Sequence, residues 1–210
     1  MSDWQAKMGQ IAGLFSILCF IPYILTTLQG KTKPNRATWW IWVVLSTVIS
    51  FSHYSSGALN TIWLPICGGI GQFIVAIISL KYGEGGWNRF DRFCLMGVGF
   101  SLILWWQFDE PVVALLLNIL IDCLGALPTI KKTYYKPETE DCLTWVLYLL
   151  GSTINLFAIE RWSFALSIFP IYIFSINITM VALVLRPKIQ KRVNSYKRQT
   201  KKKLGKFKKQ

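Results

Sequence analysis

The chain has 210 residues, of which 53% are hydrophobic and only 16% are charged, and it contains ten tryptophans. Its net charge of +13 is unevenly placed: the last 25 residues hold twelve Lys and Arg and no Asp or Glu, whereas the first 185 hold eleven basic and ten acidic residues. A soluble globule spreads charge over its whole surface, so this pattern excludes an ordinary soluble enzyme, argues against a nucleic-acid groove and indicates an integral membrane protein.

Seven apolar stretches are predicted to be membrane-spanning helices, because a hydrocarbon core about 30 Å thick needs roughly 20 apolar residues per helix. In chain order they cover residues 9–28, 37–56, 62–80, 93–108, 111–130, 143–158 and 163–185. The first stretch lacks the basic leader and the small-x-small cleavage site of a signal peptide, so we expect it to remain in the chain.

The positions of Lys and Arg predict the orientation of these helices. Of the 23 basic residues, 21 fall on one side, in loops around residues 31–36, 81–92 and 131–136 and in the tail. Only Lys7 and Arg161 fall on the other side. Cytoplasmic loops carry an excess of Lys and Arg. The sequence therefore predicts a protein of the plasma or inner membrane, with its amino terminus outside and its carboxyl terminus in the cytoplasm.

Most tryptophans fall close to the ends of the predicted spans. Trp39, Trp40, Trp42 and Trp145 follow basic loops, and Trp63, Trp105, Trp106 and Trp162 lie at the outer ends. Because indole rings favour the headgroup region of a bilayer, we expect most of them to be interfacial anchors.

An internal repeat relates the first three predicted helices to the last three. An offset of 106 residues aligns helices one and two with helices five and six without a gap, and an offset of 105 aligns helices three and seven. The matched positions are Pro22 with Pro128, Thr38-Trp39 with Thr144-Trp145, Ser46-Thr47 with Ser152-Thr153, and Gln72 with Asn177. Shared Pro, Thr-Trp and amide positions in one register are hard to obtain by chance, even in an apolar chain.

The predicted fold is therefore an all-α integral membrane protein with seven transmembrane helices, arranged as two parallel triple-helix repeats joined by a linker helix. We expect the first repeat over residues 1–85, the linker helix over 86–110 and the second repeat over 111–187. Residues 188–210 form a basic cytoplasmic tail that we expect to be disordered and to attract anionic lipid headgroups. Parallel repeats of this kind place a substrate site near the membrane midplane, at their interface.

At these motifs the chain resembles the PQ-loop superfamily, which includes the SWEET sugar transporters. The resemblance rests on Phe20-Ile21-Pro22-Tyr23, on Thr38 through Trp42, on Leu127-Pro128-Thr129 and on Thr144-Trp145. It implies a carrier whose two repeats enclose the solute. SWEET proteins have an asparagine pair in the third helix of each repeat that contacts substrate, and Gln72 and Asn177 stand at the corresponding positions.

The fifth predicted helix has one polar face. Asn118, Asp122, Gly125 and Thr129 lie at i, i+4, i+7 and i+11. A carboxylate in hydrocarbon is costly, so we expect Asp122 to face a wet cavity or to be protonated. It would then bind substrate or couple transport to protons. The alternative is a hydrogen bond between helices that fixes their packing, with Asn118 as a candidate partner.

Further candidates for substrate contact are the amides Gln72 and Asn177, which both donate and accept hydrogen bonds and so suit a hydroxylated or amide-bearing solute. Ser16, the counterpart of Asp122 in the first repeat, and the mid-span residues Ser50 and Asn155 complete the set. The alternative role for each is a hydrogen bond between helices.

Pro22 and Pro128 each remove a helix hydrogen bond near the cytoplasmic end of a span. Together with the residues that follow them, Tyr23 and Thr129, they are predicted to form a gate hinge. The alternative is a static bend, because prolines are tolerated in spanning helices.

The chain lacks a Walker loop, a dinucleotide fingerprint and a C-x-x-C pair, and it has a single histidine, His53. We therefore expect no enzyme activity, no cofactor and no metal.

The leading hypothesis is a carrier that moves a small polar solute, such as a sugar, by alternating access, either as a uniporter or with protons. A receptor or membrane assembly factor of the PQ-loop fold is the alternative, and a cavity closed by packed side chains with Asp122 hydrogen-bonded internally would favour it. A permease similar to the nicotinamide-riboside carriers is a third, weaker option, and the oligomeric state is open.

Overall fold

The computed structural model describes residues 3–55, 59–85, 88–107 and 111–207, and in this part of the chain the regular structure is helical. The helices are α1 (Asp3–Leu18), α2 (Phe20–Leu28), α3 (Arg36–Ser55), α4 (Trp63–Tyr82), α5 (Arg89–Gln107), α6 (Pro111–Tyr135), α7 (Cys142–Phe157) and α8 (Phe164–Phe207), with one 3-10 turn at Pro137–Thr139. The prediction of an all-α protein is confirmed.

Within the described residues, three helical segments are long and apolar enough to cross a membrane. They are Trp4–Leu28, Trp63–Tyr82 and Phe164–Pro187. The segments Arg36–Phe51 and Cys142–Phe157 are apolar but shorter. By length and composition the chain is therefore a membrane protein.

Pro22 and Pro128, the prolines of the predicted hinge, affect their helices differently. The first predicted span is divided at Cys19 into α1 and α2. Pro22 has no N–H to offer the carbonyl of Leu18, so the ladder of helix hydrogen bonds is interrupted where α1 ends. Pro128, by contrast, lies inside α6, which continues past it to Tyr135.

The helices pack in two groups. In the first group α4 contacts both α1 and α3, and in the second α8 contacts both α6 and α7. The groups meet where α1 packs against α7 and α3 against α6, while α5 lies against α6.

Helices α3 and α7 begin in the same way. Asn35 precedes α3 and its Oδ1 accepts a hydrogen bond from the backbone N–H of Thr38, at 3.1 Å. Asp141 precedes α7 and its Oδ1 accepts from the N–H of Thr144, at 2.7 Å. A side-chain oxygen that satisfies a free N–H in the first turn is an N-cap. These caps fix the first residues of α3 and α7 at Arg36 and Cys142.

One end of the bundle carries the loops 29–35, 83–85 and 136–141, and we call it the basic face. The loops are joined by backbone hydrogen bonds, from Lys33 N to Thr139 O at 3.0 Å and from Glu84 N to Pro34 O at 2.9 Å. At the opposite face, Gln5 Nε2 donates to Ile159 O at 3.0 Å.

The interfacial-anchor interpretation is wrong for three tryptophans. Trp39, Trp42 and Trp145 are only 3%, 8% and 3% exposed and lie inside the bundle. Trp63 and Trp162 are exposed, as an interfacial anchor requires. Trp40 is half-buried. The side chains of Trp105 and Trp106 lie outside the described part of the chain.

The predicted tail begins within α8. The backbone of α8 continues as helix beyond the apolar segment to Phe207, and the disorder of residues 188–210 in solution stays a prediction. Lys, Arg and Gln are good helix formers, and they dominate this stretch. Residues 208–210 lie outside the described residues.

The closest helix crossing in α1 depends on two glycines four residues apart. A Cβ on Gly9 would lie 1.8 Å from the carbonyl oxygen of Asn60, and a Cβ on Gly13 would lie 2.9 Å from Cβ of Trp63. Small residues at this spacing let two membrane helices approach closely. The G-x-x-x-G of α1 therefore sets how closely α1 approaches the start of α4.

We predict that Gly9→Ala destabilises the protein by roughly 1–3 kcal/mol, because the added methyl group meets a backbone carbonyl that cannot rotate away. Gly99→Ala in α5 is the matched control, because a Cβ there meets nothing within 4 Å. It should be neutral or should stabilise the protein through its better helix propensity. Thermal unfolding of both variants in detergent tests this, and equal melting temperatures would contradict the close approach.

Candidate functional site

A small cavity lies where the two helix groups meet. It has a volume of about 30 Å³, and its walls come from α3, α4, α6, α7 and α8. Its polar lining includes Gln72 and Asp122, and its apolar and aromatic lining includes Trp42, Tyr148 and Phe169. A single water needs about 10–15 Å³ of such space, so the cavity has room for about two waters and for no larger solute.

Asp122 is held by a neighbour across the cavity wall. It is 6% exposed, and the hydroxyl of Tyr172 in α8 donates a hydrogen bond to its Oδ2 at 2.6 Å. The partner is therefore Tyr172, and not the Asn118 considered from the sequence. Sequence comparison missed Tyr172 because its repeat counterpart is Cys67, which carries no matching hydroxyl.

The four predicted amides share an unusual feature. The side-chain carbonyl oxygens of Gln72, Asn118, Asn155 and Asn177 are buried and accept no hydrogen bond from any described residue. Each such orphaned acceptor costs about 1–3 kcal/mol. The amide nitrogen of Asn177 is engaged, because it donates to Ile173 O at 3.0 Å.

The amides lie on four helices, α4, α6, α7 and α8. Gln72 borders the cavity directly. Asn177 follows the cavity-lining Ile173 by one turn of α8, and Asn118 precedes Asp122 by one turn of α6. The structure therefore brings Gln72 and Asp122 together, with Asn118 and Asn177 one turn away along their helices.

The two predicted serines do not join this set. The Ser16 hydroxyl lies 2.9 Å from Gly13 O and 3.2 Å from Leu64 O, so it ties α1 to α4. The Ser50 hydroxyl donates to Ser46 O at 2.7 Å. Ser50 lines a separate groove of about 580 Å³ between α3 and α4. This groove is largely apolar, and its walls include the exposed side chain of Phe73.

Aromatic rings close the cavity towards the basic face. The ring of Trp39 lies 5.9 Å from Phe20, 4.9 Å from Tyr23 and 5.1 Å from Trp42, between centroids. Trp42 in turn lies 6.3 Å from Trp145. Tilted and edge-on ring pairs at these distances are favourable beyond their buried area. These five residues, which we call the aromatic plug, join α2, α3 and α7.

The other side of the cavity is closed by a smaller contact. Phe169 lines the cavity, and its ring centroid lies 5.7 Å from that of His53 and 6.2 Å from that of Tyr172. Ring contacts therefore flank the cavity on two sides.

The predicted gating residues lie at the basic face. Tyr23 is fully buried in the aromatic plug, and its hydroxyl donates to Oε1 of Glu140 at 3.4 Å. Thr129 is buried with no hydrogen-bond partner for its Oγ1 among the described residues. Pro128 lines a pocket of about 340 Å³ at this face, and Pro22 is half-buried.

Sequence reasoning missed Glu140, the acceptor of the Tyr23 bond. It precedes a predicted span by three residues and looks like an ordinary loop carboxylate. Its burial against Trp145, whose Nε1 donates to Oε2 at 2.9 Å, is the signal that identifies it. In the sequence, Glu140 and Trp145 are only five residues apart, on either side of the start of a helix. That spacing alone does not distinguish Glu140 from an ordinary loop carboxylate.

Among the described residues, no group of three or more His, Cys, Asp or Glu is placed to hold a metal ion. All five cysteines are free thiols. The amide oxygens and the Asp122 carboxylate are hydrogen-bond acceptors, so chemically the arrangement can accept hydrogen bonds from donor groups.

These features define the class as an all-α membrane protein with buried polar side chains beside a small internal cavity. The chain matches no family model, no curated protein and no solved structure.

We predict that Asp122 and Tyr172 are energetically coupled. In a cycle of Asp122→Asn, Tyr172→Phe and the double variant, we expect a coupling of about 1.5 kcal/mol, near the upper end for hydrogen bonds in membranes, because the bond is short and its acceptor is a carboxyl group. Unfolding in mixed detergent measures it. Tyr54→Phe is the control, because its ring is 71% exposed. A coupling no larger than that of Asp122→Asn with Tyr54→Phe would contradict the assignment.

Proposed function

We propose that the protein is a multi-pass carrier that moves a small polar solute, of the size and polarity of a sugar, across the membrane by alternating access. The observation that carries this proposal is the set of four buried amide oxygens without partners. A static helix bundle gains nothing from orphaned acceptors that cost about 1–3 kcal/mol each. A carrier does gain, because the donors of a solute satisfy the acceptors when it binds.

The proposal includes seven spans in two parallel triple-helix repeats with α5 as the linker. The N-caps of α3 and α7 support this arrangement, because Asn35 and Asp141 are 106 residues apart, the offset of the sequence repeat. The packing is also compatible with a two-fold axis: exchanging the repeats turns the α1–α7 contact into the α6–α3 contact.

A single backbone hydrogen bond supports the same axis. Lys33 N donates to Thr139 O, and these two residues are also 106 apart. Residues related by a two-fold axis meet each other only where the axis passes between them. On this basis we propose membership of the PQ-loop superfamily, with the basic face in the cytoplasm as the distribution of Lys and Arg favours.

A receptor or membrane assembly factor of the same fold remains the second candidate. Two observations favour it: Asp122 is hydrogen-bonded internally to Tyr172, and the cavity has a volume of only about 30 Å³. A carrier accommodates both observations if this conformation is its occluded, empty state.

Solute binding and flux distinguish the two candidates. We expect at least one member of a panel of sugars, amino acids and vitamins to raise the melting temperature of the purified protein, because a ligand that binds the folded state stabilises it. The same compound should cross liposomes in a saturable manner. Binding without flux would favour a receptor, and neither binding nor flux across the panel would count against both.

Variants at the amides sharpen this experiment. Gln72→Leu should weaken solute binding about five- to tenfold, the value of one hydrogen bond, yet leave the empty protein as stable or more stable because an orphaned acceptor is removed. Thr179→Val on α8 is the control, because Thr179 is exposed and its hydroxyl bonds its own helix. Equal binding by Gln72→Leu and the parent would remove Gln72 from the site.

The role of Asp122 is tested through proton coupling. If the solute moves with protons, Asp122→Asn should abolish uptake driven by a pH gradient and preserve exchange without a gradient, because asparagine keeps the shape and cannot titrate. Asp122→Ala separates lost charge from lost packing. Unchanged gradient-driven uptake in Asp122→Asn would identify a facilitator in which the carboxyl group is structural or only binds solute.

A further inference from the structure

Glu140 is a buried carboxylate at the basic face on which three helices converge. Its side chain is fully buried. Its Oε1 accepts from the Tyr23 hydroxyl of α2 and pairs with Nζ of Lys132 of α6, while its Oε2 accepts from Trp145 of α7. Nζ of Lys132 also donates to the carbonyl of Lys33.

The repeat contains this arrangement only once. At an offset of 106 residues, Glu140 corresponds to Pro34 and Trp145 corresponds to Trp39. Proline has no carboxylate, and Nε1 of Trp39 accordingly has no acceptor in the described part of the chain. Trp145 therefore has a hydrogen-bond partner that its counterpart lacks, and the basic face is closed by one carboxylate rather than by a symmetric pair.

We propose that Glu140 is the latch of the gate at the basic face, an inference that rests on the proposed carrier function. The bonds of Glu140 to Lys132 and Trp145 stay within the second helix group, whereas the bond to Tyr23 crosses to the first. Opening therefore breaks the Tyr23 bond and the Lys132 contact with Lys33, and leaves Glu140 paired with Lys132. No carboxylate is left unpaired in a buried site, which would be strongly unfavourable.

The geometry of the crossing bond suits a gate. At 3.4 Å the contact between Tyr23 and Glu140 is long for an O–H···O hydrogen bond, whereas the bond from Trp145 has an ordinary length of 2.9 Å. The weak contact lies on the moving side, and the strong contacts hold the carboxylate in place. When Tyr23 leaves, Trp39 moves with it, and the aromatic plug opens a path towards the cavity.

Cys19 reports on this opening without any measurement of transport. It lies one turn before Tyr23 at the start of α2 and is 1% exposed. In a protein whose other cysteines are replaced by alanine (Cys67, Cys94, Cys123 and Cys142), a water-soluble maleimide reaches Cys19 only when the plug separates. Reconstitution in nanodiscs exposes both faces to the reagent, so the result does not depend on orientation.

We expect Glu140→Gln to speed the labelling of Cys19 roughly tenfold, because hydrogen bonds to a charged group stabilise more than neutral ones and the buried Lys132 loses its counter-charge. Glu138→Gln is the matched control, since it removes the same charge two residues away at an exposed position. It should label at the rate of the parent.

Trp145→Phe is the milder variant in case Glu140→Gln folds poorly. It keeps a smaller aromatic ring in the plug, removes the donor to Oε2 and leaves the Glu140 charge in place, so labelling should rise by a smaller factor. Rates equal to the parent in both variants would overturn the latch and leave the carrier proposal standing. Faster labelling of Cys19 in a protein that shows no solute flux would support the role of Glu140 in closing the basic face and would contradict the proposed carrier function.

Discussion

The cost of a polar group without a partner in hydrocarbon governs this structure. Many hydroxyl side chains meet that cost locally: Thr26 bonds the carbonyl of Pro22, Ser175 bonds Ile171 and Thr179 bonds Ser175, each four residues back in its own helix. An amide oxygen is an acceptor only, so it cannot use a helix carbonyl in this way. The oxygens of all four predicted amides remain without a partner among the described residues, as do a few buried hydroxyls such as that of Thr129.

The surroundings of the cavity follow from the same constraint. Aromatic rings such as Trp39 and Trp42 fill the interior near the basic face with apolar surface, and Trp42 also forms part of the cavity wall. The carboxylate of Asp122 and the amide of Gln72 therefore lie beside a space for about two waters and not in bulk solvent. Electrostatic interactions are stronger in such a low-dielectric setting than at an open surface.

Sequence reasoning predicted the all-α class and several residues that prove to be buried polar groups, because long apolar runs and the polar residues within them are local signals. It failed where the direction in which a side chain points decides its role. Trp39 and Trp145 lie near span ends, as interfacial anchors do, yet their side chains are buried in the bundle. Composition alone does not determine which face of a helix turns towards the bundle interior. Tyr172 and Glu140 were missed because their importance depends on partners 50 and 117 residues away along the chain.

The two halves of the bundle differ in the continuity of their helices. In the second, α6 runs unbroken past Pro128, and Lys132 near its end is paired with Glu140 before α7. In the first, α1 ends before Cys19, whose backbone stays in the helical region, and α2 contacts the second half through the long Tyr23 bond. A hinge acts where few hydrogen bonds must change. The missing Pro22 N–H and the long contact at Tyr23 lie within one turn of each other, so fewer hydrogen bonds would have to change for a shift of α2 than for a shift of the continuous α6.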